Sequence, residues 1–255
     1  MINKIQISGS IVLYKEDIKE LSETIDCFLK IPLSKRLFLI DNSPKKIFYD
    51  KYLHPDIEYI FVGKNVGFGA GHNLILDRIK GLSDCHLVLN PDVSFKEQVI
   101  PNLMEELNKN TDVVLIAPKV LFPNGNHQYT CRRYPDFSEL LLRYLGFSSS
   151  KVLSGEYKNR DLSKPFNPDV LHGCFLLLKT ACFEELKGFD ERYFMYMEDV
   201  DLCRKIDIIG KKKRYFPDEF IFHVLKRKSS RDIKLFIIHL ISAVKYYFKW
   251  NNINK

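Results

Sequence analysis

Apolar residues come in short unbroken runs near the start of the chain and in three- and four-residue steps between those runs. Ile5 to Leu13 is a β-branched run that predicts a strand. Ile18, Leu21, Ile25 and Phe28 follow at helical spacing. Leu37-Phe38-Leu39-Ile40 predicts a second strand, stopped by the turn sequence Asp41-Asn42-Ser43-Pro44. Ile57 to Val62 predicts a third strand, Leu74 to Ile79 sits on a helix, and His86-Leu87-Val88-Leu89 predicts a fourth strand halted by Asn90-Pro91-Asp92. Gln98 to Leu107 predicts another helix and Asp112 to Ile116 a fifth strand. Runs that are apolar at every position fit strands covered on both faces. The first ~120 residues therefore read as an α/β unit, a doubly wound, mainly parallel central sheet flanked by helices.

The stretch from Leu121 to Asp169 is richer in Pro, Gly, Ser and Arg and reads as an insertion. Within it Phe137 to Leu145 predicts an amphipathic helix, and Gly146-Phe147-Ser148-Ser149-Ser150 follows as a flexible stretch suited to a lid or acceptor-side loop. An apolar strand over Leu171 to Leu178 returns to the core, followed by a helix from Ala181 to Leu186 and a strand from Arg214 to Val224 broken at Phe216-Pro217. From Ile233 to Phe248 apolar residues recur at helical spacing with Lys234 and Lys245 between them.

With 255 residues, 45% of them hydrophobic, the chain can bury a core as one large domain or one domain plus an appendage. Its 39 Lys and Arg against 32 Asp and Glu give a net charge of +7. The excess is concentrated late, in Lys211-Lys212-Lys213-Arg214 and from Lys226 through Arg231. Anionic partners suit such a surface, whether phosphate-bearing ligands, acidic lipid headgroups or nucleic acid. Six cysteines without a C-x-x-C pair sit mostly in apolar runs. They read as buried free thiols in a reducing compartment rather than as a zinc site or disulfide frame. No basic segment followed by a long apolar stretch opens the chain, so no signal peptide is expected, and no run supplies the ~20 apolar residues of a membrane span.

Polar residues gather where the predicted strands end. Tyr14 follows the first, Asp41-Asn42 the second, Asn65-Val66-Gly67-Phe68-Gly69 the third and Asn90-Pro91-Asp92 the fourth. In open α/β sheets ligands bind beyond the carboxyl ends of the strands, so these groups predict one composite pocket along one rim. The glycine-rich turn from Asn65 to Asn73 either presents backbone N–H groups to an anion or is a tight turn needing positive φ. It lacks the G-x-G-x-x-G spacing of dinucleotide sites. Asp92 is either a hard oxygen ligand for Mg²⁺ or Mn²⁺ alongside substrate phosphates or part of an Asx-turn. His223 is either a metal ligand or a satisfied core histidine. The densest feature is Tyr196-Met197-Glu198-Asp199-Val200-Asp201-Leu202, with three carboxylates in four residues beside aromatic neighbours. Mutual repulsion and partial burial raise such pKa values unless a cation or proton relieves them, which suits a base or a metal site. A solvated first turn of a helix is the alternative.

Taken in order, strand-Tyr14, Asp41-Asn42-Ser43, Asn65-x-Gly67-Phe68-x-x-Gly71-x-Asn73, Leu89-Asn90-Pro91-Asp92-Val93, Gly173-Cys174-Phe175, Gly188-Phe189-Asp190-Glu191-x-Tyr193-Phe194, Glu198-Asp199-Val200-Asp201-Leu202 and Phe216-Pro217 to His223 resemble the inverting family 2 glycosyltransferases of GT-A fold. Within them the chain is similar to the rhamnosyltransferase-like branch, over about residues 5 to 250. The resemblance implies a GT-A (nucleotide-diphospho-sugar transferase) domain over 1–225, with a nucleotide-binding half at 1–120 and an acceptor-side and catalytic half at 121–225. A basic amphipathic helical extension would occupy 226–255.

The same resemblance implies roles for single residues. Tyr14 and Asp41 hold the nucleotide base, while Asn65, Gly67, Asn73 and Asn90 border the nucleotide. Asp92 binds a divalent metal, Mn²⁺ or Mg²⁺, whose coordination His223 completes, and Asp199 is the general base with Glu198 beside it. Asn90 stands where the family often has the first Asp of Asp-x-Asp, leaving one fewer charge for the cation. The implied reaction moves a sugar, rhamnose first, from a dTDP- or UDP-sugar donor to a hydroxyl of a saccharide acceptor, lipid-linked by analogy, in surface polysaccharide synthesis. Its expected place is the cytoplasm, at the inner face of the cell membrane. The stretch Lys245-Tyr246-Tyr247-Phe248-Lys249-Trp250 suits attachment to an anionic membrane, and equally docking on the sheet or on a second copy in a homodimer. Two other classes compete with this one. A nucleotidyltransferase would place a glycine-rich basic loop after strand one, where Leu13-Tyr14-Lys15-Glu16-Asp17 stands instead. In a nucleic-acid-binding protein using the basic C-terminal third, Glu198, Asp199 and Asp201 would repel phosphates, so no nucleic-acid partner is expected.

Overall fold

The computed structural model describes residues 5–46, 48, 51–135, 155–225 and 233–251. In chain order its elements begin β1 (Ile5–Leu13), α1 (Ile18–Leu29), β2 (Lys35–Asp41), β3 (Ile57–Phe61), α2 (Phe68–Asn73), α3 (Leu76–Ile79), β4 (Ser83–Leu89), β5 (Val93–Ser94), α4 (Val99–Lys109) and β6 (Val113–Leu121). They continue β7 (His127–Gln128), β8 (Cys131–Arg132), β9 (Val170–Leu171), β10 (Phe175–Lys179), α5 (Thr180–Glu185), α6 (Glu198–Ile208), β11 (Lys212–His223) and α7 (Ile233–Asn251). The predicted amphipathic helix over Phe137 to Leu145 and the Gly146–Ser150 stretch lie outside the described residues.

β1 is flanked in parallel by β2 and β4, and β3 adds outside β2, as the βα alternation predicts. Apolar residues alternate between the two faces of these strands. Leu37 and Leu39 join one core with Leu21, Ile25 and Phe28 of α1 and Leu103 and Leu107 of α4. Phe38 and Ile40 join the other with Ile79, Phe183, Leu202 and Ile206. Asp17 caps α1, its carboxylate accepting from the N–H groups of Lys19 and Glu20.

Beyond β4 the sheet becomes mixed. β10 lies antiparallel between β4 and β6, and β11 runs parallel to β6. β6 therefore does not extend the parallel series as simple alternation suggests. The reason is that Phe175 to Leu178 are all buried, so β10 needs cover on both faces and a neighbour on both edges. An all-apolar run marks a strand as central without setting its direction. The expected single strand from Leu171 to Leu178 is split, because His172-Gly173-Cys174 leaves the sheet between β9 and β10. The break expected at Phe216-Pro217 is present as a register shift between Phe216 and Phe220, where proline has no N–H to give the ladder.

Under α2 a line of hydroxyls and imidazoles replaces apolar packing. Ser8 Oγ meets His86 Nδ1 at 2.8 Å, His86 Nε2 meets Ser10 Oγ at 2.8 Å, and Ser10 Oγ meets His72 Nδ1 at 2.7 Å. Burial pushes His86 down to about 3 and His72 well below the usual imidazole range. Both rings are neutral bridges that fasten the glycine-rich segment to β1 and β4.

α7 docks on its own chain. Tyr246 and Trp250 pack with Tyr193 and Met197. Ser242 Oγ donates to the Met195 carbonyl at 2.9 Å, and Trp250 Nε1 donates to Asp201 Oδ1 at 2.8 Å. Lys249 Nζ donates to Asp201 Oδ2 and to Asp190 Oδ2, each at 2.8 Å. Among the described residues no helix is long and apolar enough to cross a membrane. All six cysteines are free, and only Cys27 is not fully buried.

Candidate active site

The rim at the carboxyl ends of β1, β2 and β4 gathers the polar residues that the strand ends predict. Tyr14, just past β1, is 40% exposed, with the Lys15 ammonium over its ring at 5.3 Å. Asp41, at the end of β2, is fully buried. One of its oxygens accepts from Ser43 N at 2.9 Å and the other from the Tyr59 hydroxyl. Asp41 thus lies behind the rim and shapes the turn at Ser43, whereas Tyr14 presents an open face.

The glycine-rich turn packs more tightly than an anion cradle. Gly67 N donates to Asn65 Oδ1 at 3.0 Å, and Phe68 N donates to the Phe194 carbonyl at 3.0 Å. These donors are spent within the chain. Gly67 has φ 97°, and a Cβ there would stand 2.2 Å from the Phe194 oxygen, so only glycine allows this approach. The tight turn with positive φ is observed at Gly67. Asn73 at its far end is a clip. Its amide donates to the Phe189 carbonyl at 2.8 Å and to Glu191 Oε1 at 3.0 Å, and its oxygen accepts from Phe189 N at 2.9 Å. Asn65, Gly67 and Asn73 therefore order the loop of residues 188–196 that leads into α6.

Asn90-Pro91-Asp92 and His223 meet across the sheet. Asp92 Oδ1 stands 3.3 Å from His223 Nε2, and Asn90 Nδ2 3.4 Å from the same nitrogen. His223 Nδ1 lies 3.1 Å from Gln128 Oε1, while Gln128 Nε2 donates to the His223 carbonyl at 2.6 Å. Because Gln128 offers only an acceptor to Nδ1, that nitrogen carries the proton and Nε2 faces Asp92. Two acceptors face to face need a proton or a cation between them. Burial opposes charge on His223, but the neighbouring Cys174 and Asp92 outweigh it and hold the imidazole pKa above its usual range. A carboxylate oxygen and an imidazole nitrogen at this separation, with Gln128 orienting the ring, fit a divalent cation that takes its other ligands from diphosphate and water. Among the described residues no third His, Cys, Asp or Glu completes a protein-only metal cage.

Asp199 opens α6. Its Oδ2 accepts from Gly173 N at 2.9 Å and its Oδ1 from Val200 N at 2.8 Å. Tyr196 and Met197 just before it both have left-handed backbones, φ 68° and 71°, a strain of about 1–3 kcal/mol each that the packed loop must hold. Glu198 is buried with Oε2 lacking any hydrogen-bond partner. Burial, then the Asp199 charge, raises its pKa well above the usual carboxylate range.

The segment His172-Gly173-Cys174 joins the two halves of the site. Gly173 N holds Asp199, the Cys174 carbonyl accepts from Asn90 N at 2.9 Å, and the His172 ring centre lies 6.2 Å from that of His223. Asp199, Asn90, Asp92 and His223 are thus brought together, Tyr14 and Asp41 share the same rim, and Asn65, Gly67 and Asn73 stand behind the loop. Sequence reasoning passed over Gln128 and His172. Gly173 inside an apolar run was the one available signal, since glycine there marks a bulge or a close backbone approach.

An open sheet with a polar rim, a carboxylate–imidazole pair and a facing carboxylate defines the GT-A class of nucleotide-sugar transferase folds. The profile of Glycosyl transferase family 2 matches residues 10–187, and the chain belongs to that family. The N-acetylglucosaminyl-diphospho-decaprenol L-rhamnosyltransferase of Mycobacterium tuberculosis (strain CDC 1551 / Oshkosh) is 27% identical over 191 residues, 70% of this chain. The chain spans 62% of that relative's length. Rhamnosyltransferase WbbL of Escherichia coli (strain K12) is 26% identical over 200 residues, 74% of this chain and 73% of its own. In fold the chain is similar to the mannosyltransferase PcManGT from Pyrobaculum calidifontis, solved with GDP-Man and Mn²⁺. The TM-score is 0.62, with 15% identity, over 95% of this chain and 65% of that one.

Proposed function

We propose that the chain is an inverting glycosyltransferase that moves a sugar, rhamnose first, from a dTDP- or UDP-sugar to a hydroxyl of a lipid-linked saccharide at the cytoplasmic face of the membrane. The product would be a surface polysaccharide precursor. The observation that carries this reading is the His172-Gly173-Cys174 segment, which fastens Asp199 to the Asn90-Pro91-Asp92 and His223 side of one crevice. Residues 1–120 would serve the donor and 121–225 the acceptor.

In this reading the open face of Tyr14 stacks on the base, and the buried Asp41 keeps the Ser43 turn in shape. Asp92 and His223 would hold Mn²⁺ or Mg²⁺, which when bound neutralises charge on the leaving diphosphate. Gln128 keeps the His223 proton on Nδ1 and so leaves Nε2 free for that task. Asp199 takes the proton from the acceptor hydroxyl as its oxygen attacks the anomeric carbon. The bond from that carbon to the diphosphate breaks, its electrons leave with the nucleoside diphosphate, and configuration inverts in one displacement. Glu198, held neutral, adds no second negative charge at the turn.

A thermal-shift panel of dTDP-, UDP- and GDP-sugars, with Mn²⁺ and with EDTA, followed by transfer assays on the responding donor, tests the proposal. Stabilisation by a dTDP- or UDP-sugar that depends on Mn²⁺, with loss of transfer in EDTA, is expected. Response to oligonucleotides alone, or release of pyrophosphate from a nucleoside triphosphate, would overturn it.

A further inference from the structure

α7 is committed to its own chain on one side only. Ser242, Ala243, Tyr246 and Trp250 are buried. The opposite side presents Ile233, Ile237, Leu240, Ile241, Val244 and Phe248, from 37% exposed at Val244 to 73% at Ile233. At helical spacing these six fall within about 100° of arc and run along about 22 Å of axis. The aromatic and basic stretch singled out in the sequence is therefore divided, with Tyr246 and Trp250 turned inward and Phe248 outward. A contiguous apolar stripe left in water marks a docking surface.

Charge identifies what docks there. Residues 226–255 contain eight Lys and Arg against the single acid Asp232, and α7 itself has no Asp or Glu. Lys234 and Lys245 fall along one edge of the stripe by helical spacing. A second copy of the chain would set one cationic helix against another, whereas an anionic surface complements both the stripe and its flank. At the C-terminal end of the stripe an open depression of about 510 Å³ is lined by Arg192, Val244, Lys245, Phe248 and Lys249. Cations beside apolar groups match the junction of a phosphate headgroup with its hydrocarbon chain.

We propose that α7 lies in the interface of an anionic lipid bilayer, with Ile233, Ile237, Leu240, Ile241, Val244 and Phe248 sunk into the headgroup–acyl boundary and Lys245 at the lipid phosphates. The helix does not cross. Its inner side stays tied to Asp201 through Lys249 and Trp250, so the bilayer-bound helix carries α6 and with it Asp199 at a set height above the lipid. The apolar stripe takes no part in the transfer chemistry, so bilayer docking and transfer can each fail alone.

Sedimentation of the full chain with vesicles of phosphatidylcholine, and of phosphatidylcholine mixed with phosphatidylglycerol, tests it. The chain is expected to pellet with the mixed vesicles. The double variant Ile237→Glu, Phe248→Glu should lose at least about tenfold in partitioning at an unchanged thermal midpoint, since both side chains face outward. Should that variant lower the midpoint, the milder pair Ile237→Ser, Phe248→Ser carries the same expectation. Pelleting of these variants like the parent would leave charge as the sole attraction and overturn the proposal. So would failure of the parent to pellet, or a dimer in solution that the variants dissolve while vesicles go unbound.

Discussion

Asp199 and Asp201 stand two residues apart on α6 and belong to opposite regions of the molecule. On the side of the His172-Gly173-Cys174 segment, Asp199 is held only by the backbone N–H groups of Gly173 and Val200, and among the described residues no ammonium or guanidinium pairs with it. On the side of α7, Asp201 is fully buried and receives the Tyr193 hydroxyl, the Trp250 indole and the Lys249 ammonium. A carboxylate oriented by backbone donors keeps lone pairs for a substrate proton. One neutralised by a lysine and two further donors is a fastening. Glu198, between these environments, is buried without a partner for Oε2, and burial with the Asp199 charge raises its pKa. Three neighbouring acids thus do three different things, and the difference comes from what each faces.

The largest effect expected from this contrast is on turnover. Asp199→Asn should lower transfer by ~10²–10⁴-fold while keeping the donor-induced thermal shift and a midpoint close to that of the parent. Near-normal transfer would remove Asp199 from its role as base. Asp201→Ala should act on stability, with a loss of about 3–5 kcal/mol in denaturant unfolding because Lys249 is left beside a buried gap. Faster proteolytic cleavage near α7 should accompany it. If Asp201→Ala unfolded like the parent yet lost turnover, the two carboxylates would have to exchange roles.

The smallest effect belongs to Glu198. Its folded pKa lies above the usual 4.5, for burial and the Asp199 charge both favour the proton. The folded state thus keeps a proton that the unfolded chain releases, and stability falls as pH rises from 4.5 towards the folded pKa. Glu198→Gln removes this dependence. Its thermal midpoint should exceed that of the parent at pH 7 and match it near pH 4. Equal midpoints at both pH values would show that Glu198 is ionised in the folded chain.

Much of the N-terminal half was legible from sequence, and particular residues show why. Leu37 to Ile40 and Leu87 to Leu89 are apolar throughout because both faces of their strands are covered, so central strands and their turn residues Asp41, Asn90 and Asp92 could be placed. The direction of β10 was not legible, since an apolar run reads the same either way. Nor was the position of Gln128, whose only signal is its contact with His223 across 95 positions of sequence. The glycine-rich turn was legible as a turn. That its N–H groups serve Asn65 and Phe194 depended on the loop packed against it.

Sequence alone determined the order of strands and helices through the first ~120 residues, the rim on which Tyr14, Asp41 and Asp92 stand, and the clustering of acids at the start of α6. These follow from local periodicity, turn chemistry and the side-chain inventory, all of which are written in neighbouring residues. Tertiary structure decided which acid faces the crevice, which is bound by Lys249 and which is buried without a partner. It also decided that α7 spends one face on its own chain and leaves the other bare. Charge state and exposure depend on groups distant along the chain, and only folding brings those groups within reach.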